Sequence, residues 1–150
     1  MLRHFLASIS YHAVKALKDV PSGYPDLEIG SGVRTPKIIL HHISGVLTYA
    51  HSFYEHYDST RLDVRPWEEE VVRFYDVLSK LDKSIQEKSP IGVSAEQMLQ
   101  GPLSDSMAHV GQLLMLRRVA GSPVPSENFI YADIRAGVIG PDQPKPVAPD

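Results

Sequence analysis

The sequence predicts an all-α fold: a four-helix bundle with one short extra helix and an extended proline-rich C-terminal tail. Three observations predict it. Apolar residues recur at helical spacing in four separate segments. Prolines and glycines fall where such segments should start and stop. No stretch alternates apolar and polar side chains as a half-buried strand does. Four amphipathic helices in 150 residues point to one bundle domain spanning 1–150.

The first helix is expected over 2–20, where Leu2, Phe5, Leu6, Ile9, Ala13, Ala16, Leu17 and Val20 line one face. Pro21 ends it, and "PSGYPDLEIGSGVRTP" has the composition of a long loop. The second is expected over 35–57. Thr35 stands at the N-cap and Pro36 at the first helical position, where a missing N–H costs nothing. The third, 66–87, carries Trp67, Val71, Phe74, Leu78, Leu81 and Ile85 on one stripe. Ser94 and Gln97 have capping-box spacing before a short helical turn, which Gly101-Pro102 interrupts. The fourth long helix is expected over 102–120, with Gly121 as its C-terminal cap and Pro123 as its stop. "SENFIYADIRAGVIG" has room for one short helix, and 136–150 should run extended. There is no internal repeat.

Composition narrows the function classes. Hydrophobic residues make up 43% and charged residues 22%, which suits a globular chain. Fifteen basic against 18 acidic residues give a formal charge of -3, so no basic footprint for nucleic acid or an anionic membrane is expected. There is no cysteine, which excludes disulfides, thiolate metal sites and a cysteine nucleophile. No apolar run approaches the ~18 residues needed to span a bilayer. The N-terminal stretch lacks an apolar h-region and a cleavage site, so no signal peptide is expected. A cytoplasmic location is the expectation. The serines lie outside any G-x-S-x-G context, which argues against a serine hydrolase.

Helical geometry turns about 100° per residue, which sorts the histidines by face. In "PKIILHHISGVLTYAHSFYEH" the cluster Ile39, Val46, Ala50 and Phe53 shares its arc with His42. His41 falls outside it, with Ser44, Thr48 and Ser52. His42 should therefore look inward and His41 outward. His51 and Glu55 belong to the outer face, and His56 lies near the boundary. In the later helix Asp105, His109 and Leu116 share one line beside an apolar arc, and Gln112 stands next to them.

Each of these residues has a plain reading: Asp105 as a first-turn dipole residue, His42 as a hydrogen-bonded core or boundary histidine. Together they form a stronger signal. A carboxylate turned into a bundle needs a partner, and one divalent cation would satisfy Asp105, His109 and His42 at once. Two histidines and a carboxylate are a recurrent ligand set for zinc, nickel, iron or manganese, and leave positions open for water or substrate. His12, Tyr49, Gln112 and Glu127 are candidates for the surrounding pocket.

The stretches "RTPKIILHHISGVLTYAHSF" and "GPLSDSMAHVGQLLMLRRVAGSPV" resemble the DinB-like (YfiT-like) superfamily of metal-dependent bacterial proteins. The H-x-G-Q element, here His109-Val110-Gly111-Gln112, is its most specific part, and "ENFIYADIRAGVIGPDQP" resembles one branch of it. The resemblance implies a four-helix bundle with a divalent metal, zinc or nickel foremost. The ligands would be a helix-two histidine, by position His42, and an H-x-x-x-H pair whose second member is His109. Asp105 stands where the first histidine of that pair belongs, which keeps a ligand and adds a negative charge. The resemblance also implies a small-molecule substrate, hydrolysis or transfer with a low-molecular-weight thiol, and a homodimer. A metal- or ligand-binding scaffold without turnover is the alternative. A helical domain without metal is the third reading.

Overall fold

A computed structural model describes residues 1–56 and 62–147. The fold is all-α, with no strand among the described residues. Its helices are α1 (Leu2–Leu17), α2 (Pro36–His51), α3 (Trp67–Glu87), the four-residue α4 (Ala95–Met98) and α5 (Ser104–Val119). A single 3-10 turn follows at Phe129–Tyr131. Among the described residues no helix is long and apolar enough to cross a membrane.

The starts and stops follow from local chemistry. Thr35 occupies the N-cap of α2 and Pro36 its first turn, although the Thr35 hydroxyl makes no capping bond. Three consecutive acids, Glu68, Glu69 and Glu70, open α3, where the helix dipole favours negative charge. The Ser94–Gln97 capping box forms both reciprocal bonds, at 3.2 and 2.8 Å. α4 then winds into a π-helical turn over Leu99–Leu103, kinked at Gly101, before Pro102 leads into α5. Gly121, at φ 72°, ends α5 in a conformation that favours glycine.

Two helices are shorter than periodicity suggests. α1 stops at Leu17 because Lys18 turns extended and Asp19 takes φ 50°. α2 ends at His51, and tight turns through Ser52 and Tyr54 replace its last expected turn. Tyr57, the expected end of that helix, lies outside the described residues.

The core lies between the four long helices. Leu6 and Ile9 of α1, Leu40, Ile43 and Leu47 of α2, Phe74, Leu78 and Leu81 of α3, and Val110 and Leu113 of α5 are fully buried. α2 packs on both α3 and α5, and α1 touches the same two helices. Polar ties fix these contacts. Arg3 grips Asp82 of α3 with two bonds of 3.0 and 2.9 Å. The buried Tyr24 hydroxyl, from the first loop, donates to the Leu113 carbonyl at 2.8 Å.

Residues 132–147 carry no helix or strand and return to α1. The fully buried Ser10 hydroxyl accepts from the Gly140 N–H at 3.1 Å and faces the Gly140 carbonyl at 3.4 Å. Gln143 braces that turn by donating to the Gly140 carbonyl at 2.9 Å. The last three residues of the expected tail, 148–150, lie outside the described residues.

Candidate metal centre

α2 and α5 lie side by side, so a residue midway along one can meet the first turns of the other. His42 projects from α2, and Asp105 and His109 project one turn apart from α5. His109 Nε2 lies 3.5 Å from Asp105 Oδ1, and His42 Nε2 lies 3.8 Å from Asp105 Oδ2. The two imidazoles stand perpendicular, at 88°, with centroids 4.6 Å apart. One ligand atom from each residue falls within 4.8 Å of the other two. Two donors ~2.1 Å from one ion at a tetrahedral angle are about 3.4 Å apart. The spacing thus fits a common divalent ion after small side-chain shifts, and so does the donor set of two imidazole nitrogens and a carboxylate oxygen.

Gln112 prepares His109 for this role. Its Oε1 lies 3.0 Å from His109 Nδ1. With this oxygen as acceptor, Nδ1 would carry the proton and leave the Nε2 lone pair for a metal ion. The surroundings of His42 favour its neutral form. Burial lowers its pKa most, His109 and Arg34 add to this, and Asp105 opposes it. A neutral imidazole is the form that binds metal.

Exposure separates Asp105 from a buried carboxylate. Asp105 is not shut in: half of its side chain is open, against 38% for His42 and 15% for His109. Water can solvate the carboxylate, so burial alone does not demand a cation. What stands is the convergence of three donors.

The facing of the two adjacent histidines is also corrected. His41 does not point to solvent. Its side chain, at 22% exposure, is less open than that of His42, and its Nδ1 lies 3.1 Å from Glu70 Oε1. His41, Ser44, Thr48 and His51 fall at i, i+3, i+7 and i+10, one helical stripe. His41 meets Glu70 of α3 and His51 meets Ser84 of α3 at 2.9 Å, and Ser44 and Thr48 between them are buried. The physical reason is that α2 has two helical neighbours, so its buried arc is wider than its apolar residues mark. His42 sits at the edge of that arc nearest α5.

The same stripe meets a buried charged cluster that the sequence reading missed. Glu70 is fully buried and accepts from Arg73 Nη1 at 2.9 Å and from the Arg65 N–H at 2.8 Å. Arg73 also donates to the Asp63 carbonyl at 3.1 Å. The signal was present: Glu70 interrupts the apolar stripe of Trp67, Phe74 and Leu78, three residues before an arginine.

The remaining candidates lie elsewhere. Tyr49 stands two turns beyond His42, exposed and edge-on to Phe53 at 5.0 Å. His12 stacks on Phe129, centroids 4.3 Å apart, and burial lowers its pKa. Glu127 is buried among Lys15 and Tyr11, which both bond to it, and accepts from the Val147 N–H at 3.2 Å. These residues tie the C-terminal segment to α1. Only Gln112 of the four pocket candidates touches the trio.

Beside the trio opens a cleft of about 550 Å³ between α2, α5 and the loop before α2. His42, His109 and Gln112 line one part of it. Ile29, Val33, Arg34, Ile39, Met115 and Leu116 line the rest. Arg34 is a second residue that sequence reasoning missed. Compared with known family models, curated proteins and solved structures, the chain matches none of them.

Proposed function

We propose that this protein is a metal-dependent enzyme, a hydrolase or a small-thiol-dependent transferase, in which His42, Asp105 and His109 hold a divalent cation within a DinB-like four-helix bundle. The observation that carries the reading is the approach of three donor atoms from two helices to within 4.8 Å of one another. Zinc and nickel suit the donor set best, with iron and manganese as the other candidates. The four long helices and the H-x-G-Q element support the family reading. A homodimer and a small-molecule substrate rest on the same resemblance, and a cytoplasmic location on the cysteine-free composition.

The cation supplies Lewis acidity, which polarises a carbonyl or leaving group and eases proton loss from water or a thiol. The chain's own groups do the rest. Gln112 holds the His109 ring in the tautomer that offers Nε2. Asp105 contributes one negative charge, so a divalent ion would leave the centre with a single positive charge. The apolar wall of Ile39 and Leu116 keeps one side of the site dry. Apart from the two histidines, no imidazole or carboxylate lines the cleft among the described residues.

A cleft open to the trio favours turnover over a purely structural ion, because structural sites close their coordination with protein ligands. The test is metal stoichiometry in protein purified without chelator or nickel affinity resin. Wild type and His41→Ala should retain the metal, whereas His42→Ala, Asp105→Ala and His109→Ala should lose most of it. Unchanged stoichiometry in those three variants overturns the proposal.

A further inference from the structure

The cleft beside the trio has an uneven chemistry. Outside the trio its lining is apolar except for Gln112 and one fixed charge, Arg34. Arg3 and Arg73 each grip a carboxylate. Arg34, by contrast, is exposed and forms no ion pair or hydrogen bond among the described residues. It stands within electrostatic reach of His42. Apolar surface surrounds it: Ile29, Val33 and Met115 remain 45–60% exposed. The loop that carries Ile29, Val33 and Arg34 is tightly turned. Gly30, Ser31 and Gly32 all take positive φ, at 83°, 53° and 72°, and the Val33 N–H closes onto the Gly30 carbonyl at 3.1 Å. Three successive residues in the left-handed region and this closing hydrogen bond make the loop a compact turn.

We propose that this cleft selects a small amphipathic monocarboxylate, whose carboxylate is gripped by Arg34, whose hydrocarbon body lies on Val33, Ile39, Met115 and Leu116, and whose reacting group meets the His42–Asp105–His109 centre. The guanidinium fork matches a planar carboxylate in a two-bonded arrangement. One lone cation balances one negative charge. A phosphate dianion would call for a second cation beside Arg34, and apart from the metal centre, which the reacting group takes, the cleft lining has none. The volume of about 550 Å³ lies in the range that ordinary small-molecule sites occupy.

The destination of the reacting group rests on the trio being a metal centre, but the grip of Arg34 does not, and this separates the two failures. The probe is hexanoate, titrated by calorimetry and by amide chemical shifts into protein of measured metal content. Hexanol and hexyl phosphate serve as the uncharged and doubly charged counterparts. Hexanoate should bind more tightly than either and shift amides in 29–34 and 112–116. Arg34→Ala should weaken it roughly 10- to 100-fold at unchanged metal content, the usual worth of a charge-assisted pair. Arg34→Lys should restore only part, because an ammonium lacks the fork. Met115→Glu, at an exposed wall position, should weaken hexanoate without unfolding the chain. Asp105→Ala should still bind hexanoate after its metal is gone. If wild type holds no metal while hexanoate still depends on Arg34, the metal reading fails and this one stands. Equal binding of hexanoate and hexanol, tighter binding of hexyl phosphate, or unchanged hexanoate affinity in Arg34→Ala overturns the proposal. So does hexanoate affinity that vanishes with Asp105→Ala but survives Arg34→Ala, since the carboxylate would then sit on the metal.

Discussion

At the scale of single residues, the side chains that set others in place are the ones to test. Gln112 meets His109 Nδ1 from an exposed position, so Gln112→Leu should spare the fold. It should weaken metal binding about 10- to 100-fold, as loss of such an outer partner does elsewhere, and a competition titration with a metallochromic chelator would measure it. Glu70 has the opposite profile. Removing its carboxylate leaves Arg73 almost buried with an uncompensated charge. Glu70→Ala should cost about 3–5 kcal/mol of stability, read as a lowered urea midpoint, with little effect on metal affinity in the folded fraction. The pairing of Asp105 with His109 was legible in the sequence because a four-residue offset on a helix is local geometry. The choice between His41 and His42 was legible only in part. Which of two neighbouring side chains meets a carboxylate depends on which helices flank α2, and no local period encodes that.

At the scale of elements, the C-terminal segment is held by an ion pair under cover. Lys15 Nζ bonds to Glu127 and also lies 4.0 Å from the Tyr11 ring centroid. Burial pushes the Glu127 carboxyl up, but hydrogen bonds from Lys15, Tyr11 and the Val147 N–H outweigh it and hold the group below the usual range. The partner runs the other way: burial lowers the Lys15 ammonium more than Glu127 raises it. The direct contact between the two groups argues for a charged pair at neutral pH, and Glu127 governs the acid side. A depressed folded pKa means that its stabilisation is complete above the ordinary glutamate value of about 4.3 and is lost as pH falls through the lowered folded value. Amide exchange should therefore show protection at Gly140 and Val147 that holds at neutral pH and fades on acidification below that range. In Glu127→Gln the protection should be weaker already at neutral pH and the acid step should be absent. Composition predicted an extended segment here. That the segment docks on α1 was hidden, because much of the contact runs through the Gly140 backbone, which leaves no mark in a side-chain pattern.

At the scale of the molecule, the all-α class was legible because each long helix repeats its apolar spacing over several turns. Helix ends were less so, since Asp19 and Ser52 end their helices through backbone turns that carry no glycine or proline signal. A cation held by His42, Asp105 and His109 would join α2 to α5 and bind only when the two helices are docked. Zinc should then raise the thermal midpoint in a concentration-dependent way, with about 2.7 kcal/mol gained at a hundredfold excess over Kd. Scanning calorimetry of metal-free wild type and Asp105→Ala across a zinc series checks this: the variant's midpoint should not move.

The contact between Ser10 and Gly140 spans 130 residues, and that separation has a kinetic meaning. On a ribosome, α1 leaves the exit tunnel long before its partners at 127–147 exist. At ~5–20 residues per second, the Ser10 hydroxyl and the Lys15 amine wait on the order of ten seconds for Gly140 and Glu127. Throughout that interval α1 has an apolar face with two unmatched polar groups in it, a poor template for premature docking. Its final seating must come after translation of the segment that covers it, so α1, made before α2, α3 and α5, is among the last to be locked.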